Sequence, residues 1–69
     1  MEDRKKRIGR NIKKIRTERG LTQHQIADKM NIHRSTYTYY EIGKCDISAA
    51  KLLELCEILN TDPNTLLDF

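Results

Sequence analysis

The sequence predicts an all-α domain, a compact bundle of five short helices with a helix-turn-helix at about residues 22–41. Three observations carry this. Apolar residues recur at helical spacing along most of the chain, without the alternation that marks strands. Residues suited to starting and stopping helices punctuate that pattern at short intervals. The 69 residues make one small domain, 1–69, whose marginal core favours short, closely packed helices over a sheet.

The first predicted helix runs from about residue 4 to 18, with Ile8, Ile12 and Ile15 at i, i+4 and i+7 as its apolar stripe. Gly20 suits the left-handed residue that ends it. Thr22 and Gln25 form a capping box for the second helix, in which each side chain satisfies a free backbone N–H. Ile26 and Met30 give that helix its stripe, and Asn31 suits a left-handed stop. The third follows almost at once, from about 34 to 41. Tyr37 and Tyr40 turn inward with Ile32, Arg34, Ser35, Thr38 and Tyr39 face outward, and Gly43 closes the helix. Two short helices joined by three or four residues fit a helix-turn-helix. Ser48 caps the fourth helix, whose buried face is expected to be Ala49, Leu52, Leu53, Cys56 and Leu59, widened by Leu55 and Ile58. Asp62-Pro63 is an N-cap followed by proline at the first helical position, so a last helix is expected over about 63–68.

Charge is distributed unevenly. Residues 1–20 hold nine Lys/Arg against three Asp/Glu, a net of +6, while residues 45–69 hold one against five, a net of −4. The basic end should face an anionic partner, although a solvated basic helix gives the same run. No apolar stretch approaches the roughly 20 residues of a membrane helix, and the charged start Met1-Glu2-Asp3-Arg4 does not resemble a signal peptide, so a cytoplasmic location is expected. Cys45 and Cys56 are too few for a disulfide-stapled secreted domain, and with His24 and His33 they lack metal-ligand spacing; no metal or cofactor is expected. Neither a nucleophile–base set, a phosphate-binding glycine loop nor a carboxylate pair stands out, so no enzyme is expected.

One run is more specific than any of these features: Leu21-Thr22-Gln23-His24-Gln25-Ile26-Ala27-Asp28-Lys29-Met30-Asn31-Ile32-His33-Arg34-Ser35-Thr36-Tyr37-Thr38-Tyr39-Tyr40-Glu41-Ile42-Gly43-Lys44. It closely resembles the Cro/cI-like, or XRE, helix-turn-helix family, and the resemblance extends from Ile8-Gly9 to the helix at Asp62–Leu67. The small Ala27 suits a close crossing of the second and third helices. Three positions depart from the family pattern: Asn31 stands where glycine is usual, Tyr37 where Ile or Val is usual, and His33 where a Ser or Thr cap is common. A tyrosine at 37 must find a partner for its hydroxyl.

The resemblance implies a lambda-repressor-like DNA-binding domain that acts as a transcriptional regulator, most simply a repressor of a palindromic operator. It implies base contacts from Arg34, Ser35, Thr38 and Tyr39, and backbone contacts from Gln23, Thr22, Lys44 and Arg10. The resemblance also implies that Gln23 braces the third helix; Gln23 could instead be only a polar first-turn residue, and Arg34 could hold a phosphate. Arg16 and Glu41 match a partly buried ion pair that is structural. Surplus apolar surface on Leu55, Ile58, Leu66, Leu67 and Phe69 suggests a homodimer interface away from double-stranded DNA. Two rival roles remain: an antitoxin or controller protein that also binds a protein partner, and an interaction bundle that does not bind DNA.

Overall fold

The computed structural model describes residues 3–67. They form five helices, α1 (Arg4–Glu18), α2 (Gln23–Met30), α3 (Arg34–Ile42), α4 (Ala49–Leu59) and α5 (Pro63–Leu67), with no strand among the described residues. The expected all-α bundle is therefore the observed one. None of the described helices is long and apolar enough to cross a membrane.

Local chemistry sets the helix ends. Asp3 caps α1 by accepting from the Lys5 N–H. At α2 the capping box is complete: Thr22 Oγ1 accepts from the Gln25 N–H at 3.1 Å, and Gln25 Oε1 accepts from the Thr22 N–H at 2.8 Å. Asn31 and Asn60 end α2 and α4 in the left-handed region, at φ 57° and 55°. His33 makes no side-chain cap for α3. Ser48 caps α4, and Asp62 accepts from both the N–H and the hydroxyl of Thr65 at the start of α5.

The core gathers Ile8, Ile12 and Ile15 of α1, Ile26, Ala27 and Met30 of α2, Tyr37 of α3, Leu55, Cys56 and Leu59 of α4, and Leu66 of α5. Full burial of each large aliphatic chain contributes about 1.5–3 kcal/mol. Two expectations need correction here. On α4 the buried residues are Leu55, Cys56 and Leu59, with Leu52 packed against them, at i, i+3, i+4 and i+7. Leu53 lies two residues from Leu55, on the far side of the helix, and is 55% exposed; Ala49 is exposed too. Leu55 and Leu66 are fully buried within the protomer and supply none of the surplus apolar surface expected of a dimer face. Ile58 and Leu67 are partly buried, and Phe69 lies outside the described residues, as does residue 68 of the expected last helix. Cys56 is buried, as its place in an apolar stripe suggests; burial, helped by the Asp62 charge, pushes its thiol up.

The approach of α1 to α3 is very close. A side chain at Gly9 would run into the carbonyl oxygens of Tyr40 and Glu41, so glycine lets the two backbones meet. Gly43, at φ 77°, both turns the chain out of α3 and passes Lys6, whose Cα would lie 2.6 Å from an added Cβ. At the other end, the Arg19 guanidinium donates to the carbonyls of Leu59 at 2.8 Å and Asn60 at 3.2 Å, a cation at the C-terminus of α4. Asn11 donates to the Leu66 carbonyl at 2.8 Å and holds α5 to α1.

Candidate nucleic-acid interface

The candidate interface is built outward from Glu41. This residue is 5% exposed, yet its carboxylate is not isolated. Arg16 Nε donates to Oε2 at 2.6 Å and Arg16 Nη2 to Oε1 at 3.4 Å. The Tyr37 hydroxyl donates to Oε2 at 2.5 Å, and Gln23 Nε2 donates to Oε1 at 2.9 Å. Arg16 Nη1 continues to the Leu21 carbonyl at 2.8 Å, just before α2. One carboxylate thus ties α1, α2 and α3 together.

These contacts decide the charge state. Burial alone would raise the Glu41 pKa, but the hydrogen bonds from Arg16, Tyr37 and Gln23 outweigh it and hold the carboxyl below its ordinary range. Arg16 is shifted up, chiefly by its hydrogen bond to the same carboxylate. Tyr37 is shifted up strongly, first by burial and then by its bond to Glu41, and stays a neutral donor. The expected Arg16–Glu41 pair is present, with 13% and 2% of the side chains exposed. The hydroxyl of Tyr37, which had no partner assignable from sequence, finds one at the pair itself.

Gln23 joins this buried cluster to the exterior. Its other amide atom, Oε1, accepts from Thr38 Oγ1 at 3.1 Å, so Gln23 braces α3. Thr38 is half-buried, whereas Arg34 and Ser35 on the first turn of α3 are exposed. Tyr39 is 37% exposed, and Lys44 Nζ lies 4.7 Å from the centre of its ring, a cation–π contact that positions the ammonium beside the helix. Backbone bonds from Lys44 N and Cys45 N to the Tyr39 carbonyl hold the chain as it leaves α3. Thr22 is exposed at the start of α2, where its hydroxyl serves as the cap. Arg10 is exposed on α1, outside the helix-turn-helix itself.

The arrangement therefore presents an outward α3 face of Arg34, Ser35, Thr38 and Tyr39, flanked by the N-terminus of α2 and by Lys44. Among the described residues there is no cluster of three or more His, Cys, Asp or Glu suited to a metal ion. The brace on α3 that the resemblance implies for Gln23 is present at Thr38; sequence reasoning missed the bond from Gln23 to Glu41, the close approach at Gly9, and the Arg19 clasp on α4. The one legible signal among these was Gly9, a glycine inside a helical pattern, which is costly without a packing reason.

Two short helices crossing through a left-handed turn, with the second outward face braced from below, define a helix-turn-helix domain. The chain belongs to the HTH_3 helix-turn-helix family, whose model matches residues 12–66. It is 39% identical over 60 residues to the SPbeta prophage-derived HTH-type transcriptional regulator YonR of Bacillus subtilis, covering 87% of this chain and 56% of that protein. It is 39% identical over 57 residues to the HTH-type transcriptional regulator YqaE of the same organism, covering 83% and 49%. The chain thus spans about half the length of these relatives. Among solved structures, the fold is similar to that of the clp gene regulator ClgR of C. glutamicum, with a TM-score of 0.92 at 18% identity, covering 97% of this chain and 87% of that one. It is also similar to the restriction-modification controller protein C.AhdI of Aeromonas hydrophila, with a TM-score of 0.83 at 28% identity, covering 88% and 92%.

Proposed function

We propose that this chain is a sequence-specific DNA-binding domain of a cytoplasmic transcriptional regulator, acting as a repressor on a palindromic operator that it binds as a homodimer. The observation that carries this reading is the exposed α3 face, held rigidly by the buried Glu41 cluster. With α3 in the major groove, Arg34, Ser35, Thr38 and Tyr39 reach base edges. Thr22 and Gln23 at the α2 N-terminus, Lys44 after α3 and Arg10 on α1 hold phosphates. Residues 1–69 act as one domain, and the role is binding, not catalysis. Support for pairing comes from apolar surface left on α4 and α5 at Leu53, Ile58 and Leu67, at the acidic end least suited to DNA.

A second reading has one specific observation behind it. The similarity to a restriction-modification controller protein suits a controller that also engages a protein partner.

Selection of bound duplexes from a random pool tests the main reading. A palindromic consensus, its half-sites about 34–36 Å apart, is expected. Recovery of unrelated sequences at the frequency of the input pool would contradict it.

A further inference from the structure

An ionised carboxylate accepts hydrogen bonds and cannot donate one. The Gln23 atom 2.9 Å from Glu41 Oε1 is therefore its amide nitrogen. That orientation directs the Gln23 carbonyl oxygen at Thr38, 3.1 Å from Oγ1. A carbonyl oxygen also only accepts, so Thr38 commits its single hydroxyl proton to Gln23. We propose that this relay of fixed polarities makes Thr38 a pure hydrogen-bond acceptor at the DNA face, selecting adenine or cytosine at one operator position, and that Glu41 sets this preference from inside the protein.

The ligand follows from the chemistry of base edges. In the major groove adenine N6 and cytosine N4 carry N–H donors, while guanine and thymine present O6, N7 and O4 acceptors. With its proton already committed, Thr38 has only lone pairs for the base facing it. An amino base on the contacted strand satisfies them, and a keto base leaves two acceptors opposed. The inference rests on the proposed placement of α3 in the major groove.

Glu41 is a positioning residue in this relay, and the effect of replacing it is fixed by its neighbours. Arg16 Nε donates to Oε2 at 2.6 Å and cannot accept. In Glu41→Gln the amide oxygen must therefore take the Oε2 place, beside Arg16 and the Tyr37 hydroxyl. The new NH₂ then takes the Oε1 place, where it gives up only the longer 3.4 Å contact with Arg16 Nη2, and faces Gln23. Two NH₂ groups cannot pair, so Gln23 turns over and presents its own NH₂ to Thr38. Thr38 now accepts from Gln23, and its proton is free for a keto oxygen. Thr38 keeps a second lone pair beside that freed proton, so it can meet either an amino or a keto base, and the preference for adenine or cytosine at that position is lost. Thr38→Val keeps the shape of the side chain and removes both polarities.

The test uses the operator recovered by selection, resynthesised with each of the four bases at every position of one half-site. Wild-type protein, Thr38→Val and Glu41→Gln are titrated against each duplex, with thermal melting alongside to establish folding. Wild type is expected to favour adenine or cytosine at one position by roughly two- to tenfold, the worth of one hydrogen bond. Thr38→Val should flatten that position, and so should folded Glu41→Gln. A general structural role for Glu41 would weaken all duplexes alike and leave the wild-type preference at that position in place. The relay is overturned if Thr38→Val leaves every preference unchanged, if the position it flattens favoured guanine or thymine, or if folded Glu41→Gln keeps the wild-type preference. Should Glu41→Gln fail to fold, Thr38→Val still decides whether Thr38 acts as an acceptor. A wild-type protein with no preference at any position overturns the regulator reading and the relay with it, whereas preferences untouched by Thr38→Val sink the relay alone.

Discussion

At Glu41 a nearly buried carboxylate is stable because three neighbouring side chains donate to it. Its folded pKa lies below the ordinary 4.5, so its stabilisation is fully present above about pH 4.5 and is lost as pH falls through the folded value. Tyr37 works in the opposite direction. Its folded pKa is raised above 10.0, so the stability it contributes is present below about pH 10 and fades as pH rises beyond it. Tyr37→Phe removes one donor to a charged acceptor and is expected to cost about 1.5–3 kcal/mol. It should also move the acid limb of a stability–pH curve to higher pH and remove the alkaline limb that Tyr37 produces. Urea melts from pH 3 to 11 measure both, and unchanged limbs would show that the phenol does not couple to Glu41. Among the exposed residues, Arg34 and Lys44 are expected to divide reading from holding. Arg34→Ala should cost about 1–3 kcal/mol on the preferred operator and relax one base position. Lys44→Ala should weaken all sequences alike and lower the salt slope by about one unit. If Arg34→Ala instead weakens specific and random DNA equally while its salt slope drops, Arg34 is a phosphate clamp.

Helices stand or fall here on their crossings. Gly9→Ala places a methyl group against the backbone of α3, which cannot turn aside as a side chain would. It is expected to destabilise the domain by about 1–3 kcal/mol, or more if α1 must shift. Asn31→Gly relieves a left-handed residue at the α2–α3 turn and should stabilise by a few tenths to about 1 kcal/mol. Chemical denaturation of the two variants should move the midpoint in opposite directions; an unchanged or raised midpoint for Gly9→Ala would contradict the close-packed crossing of α1 and α3. These elements differ in how far they could be read in advance. Caps are local, so Thr22 with Gln25, Asn31, Ser48 and Asp62 announce the helix ends within a few residues. The α1 stripe is equally plain, because Ile8, Ile12 and Ile15 stand among charged neighbours. In α4, by contrast, Leu52, Leu53, Leu55, Ile58 and Leu59 are apolar on nearly all sides, and periodicity alone cannot choose Leu55 over Leu53 for the core. That choice is made by α2 and α5, the helices that pack against α4. The Gln23–Thr38 bond depends on the angle at which α2 crosses α3, which no local pattern encodes.

The whole molecule has a basic first helix and an acidic C-terminal end, with the proposed DNA face on α2 and α3 between them and the proposed pairing face at the acidic end. Burial of Leu55 and Leu66 in the protomer removes the strongest part of the sequence-based argument for a dimer, leaving Leu53, Ile58 and Leu67 as the described apolar surface of α4 and α5. Analytical ultracentrifugation should nonetheless find two chains per operator, and one chain per operator at every concentration would rule the dimer out. The class of the candidate site was legible at this scale because the run from Leu21 to Lys44 is dense in residues that a helix-turn-helix needs. The polarity of its hydrogen bonds was not, because that arises where three helices meet. The most direct measurement of the central claim is a titration of wild-type protein with the selected operator and with a scrambled duplex of the same composition, across a salt series. A reader of sequence should bind its operator on the order of 10³-fold or more tightly than the scrambled duplex, an advantage that persists as salt weakens both. Equal affinities with equal salt slopes would mean that the basic surface meets DNA only as charge, and that the α3 face reads nothing.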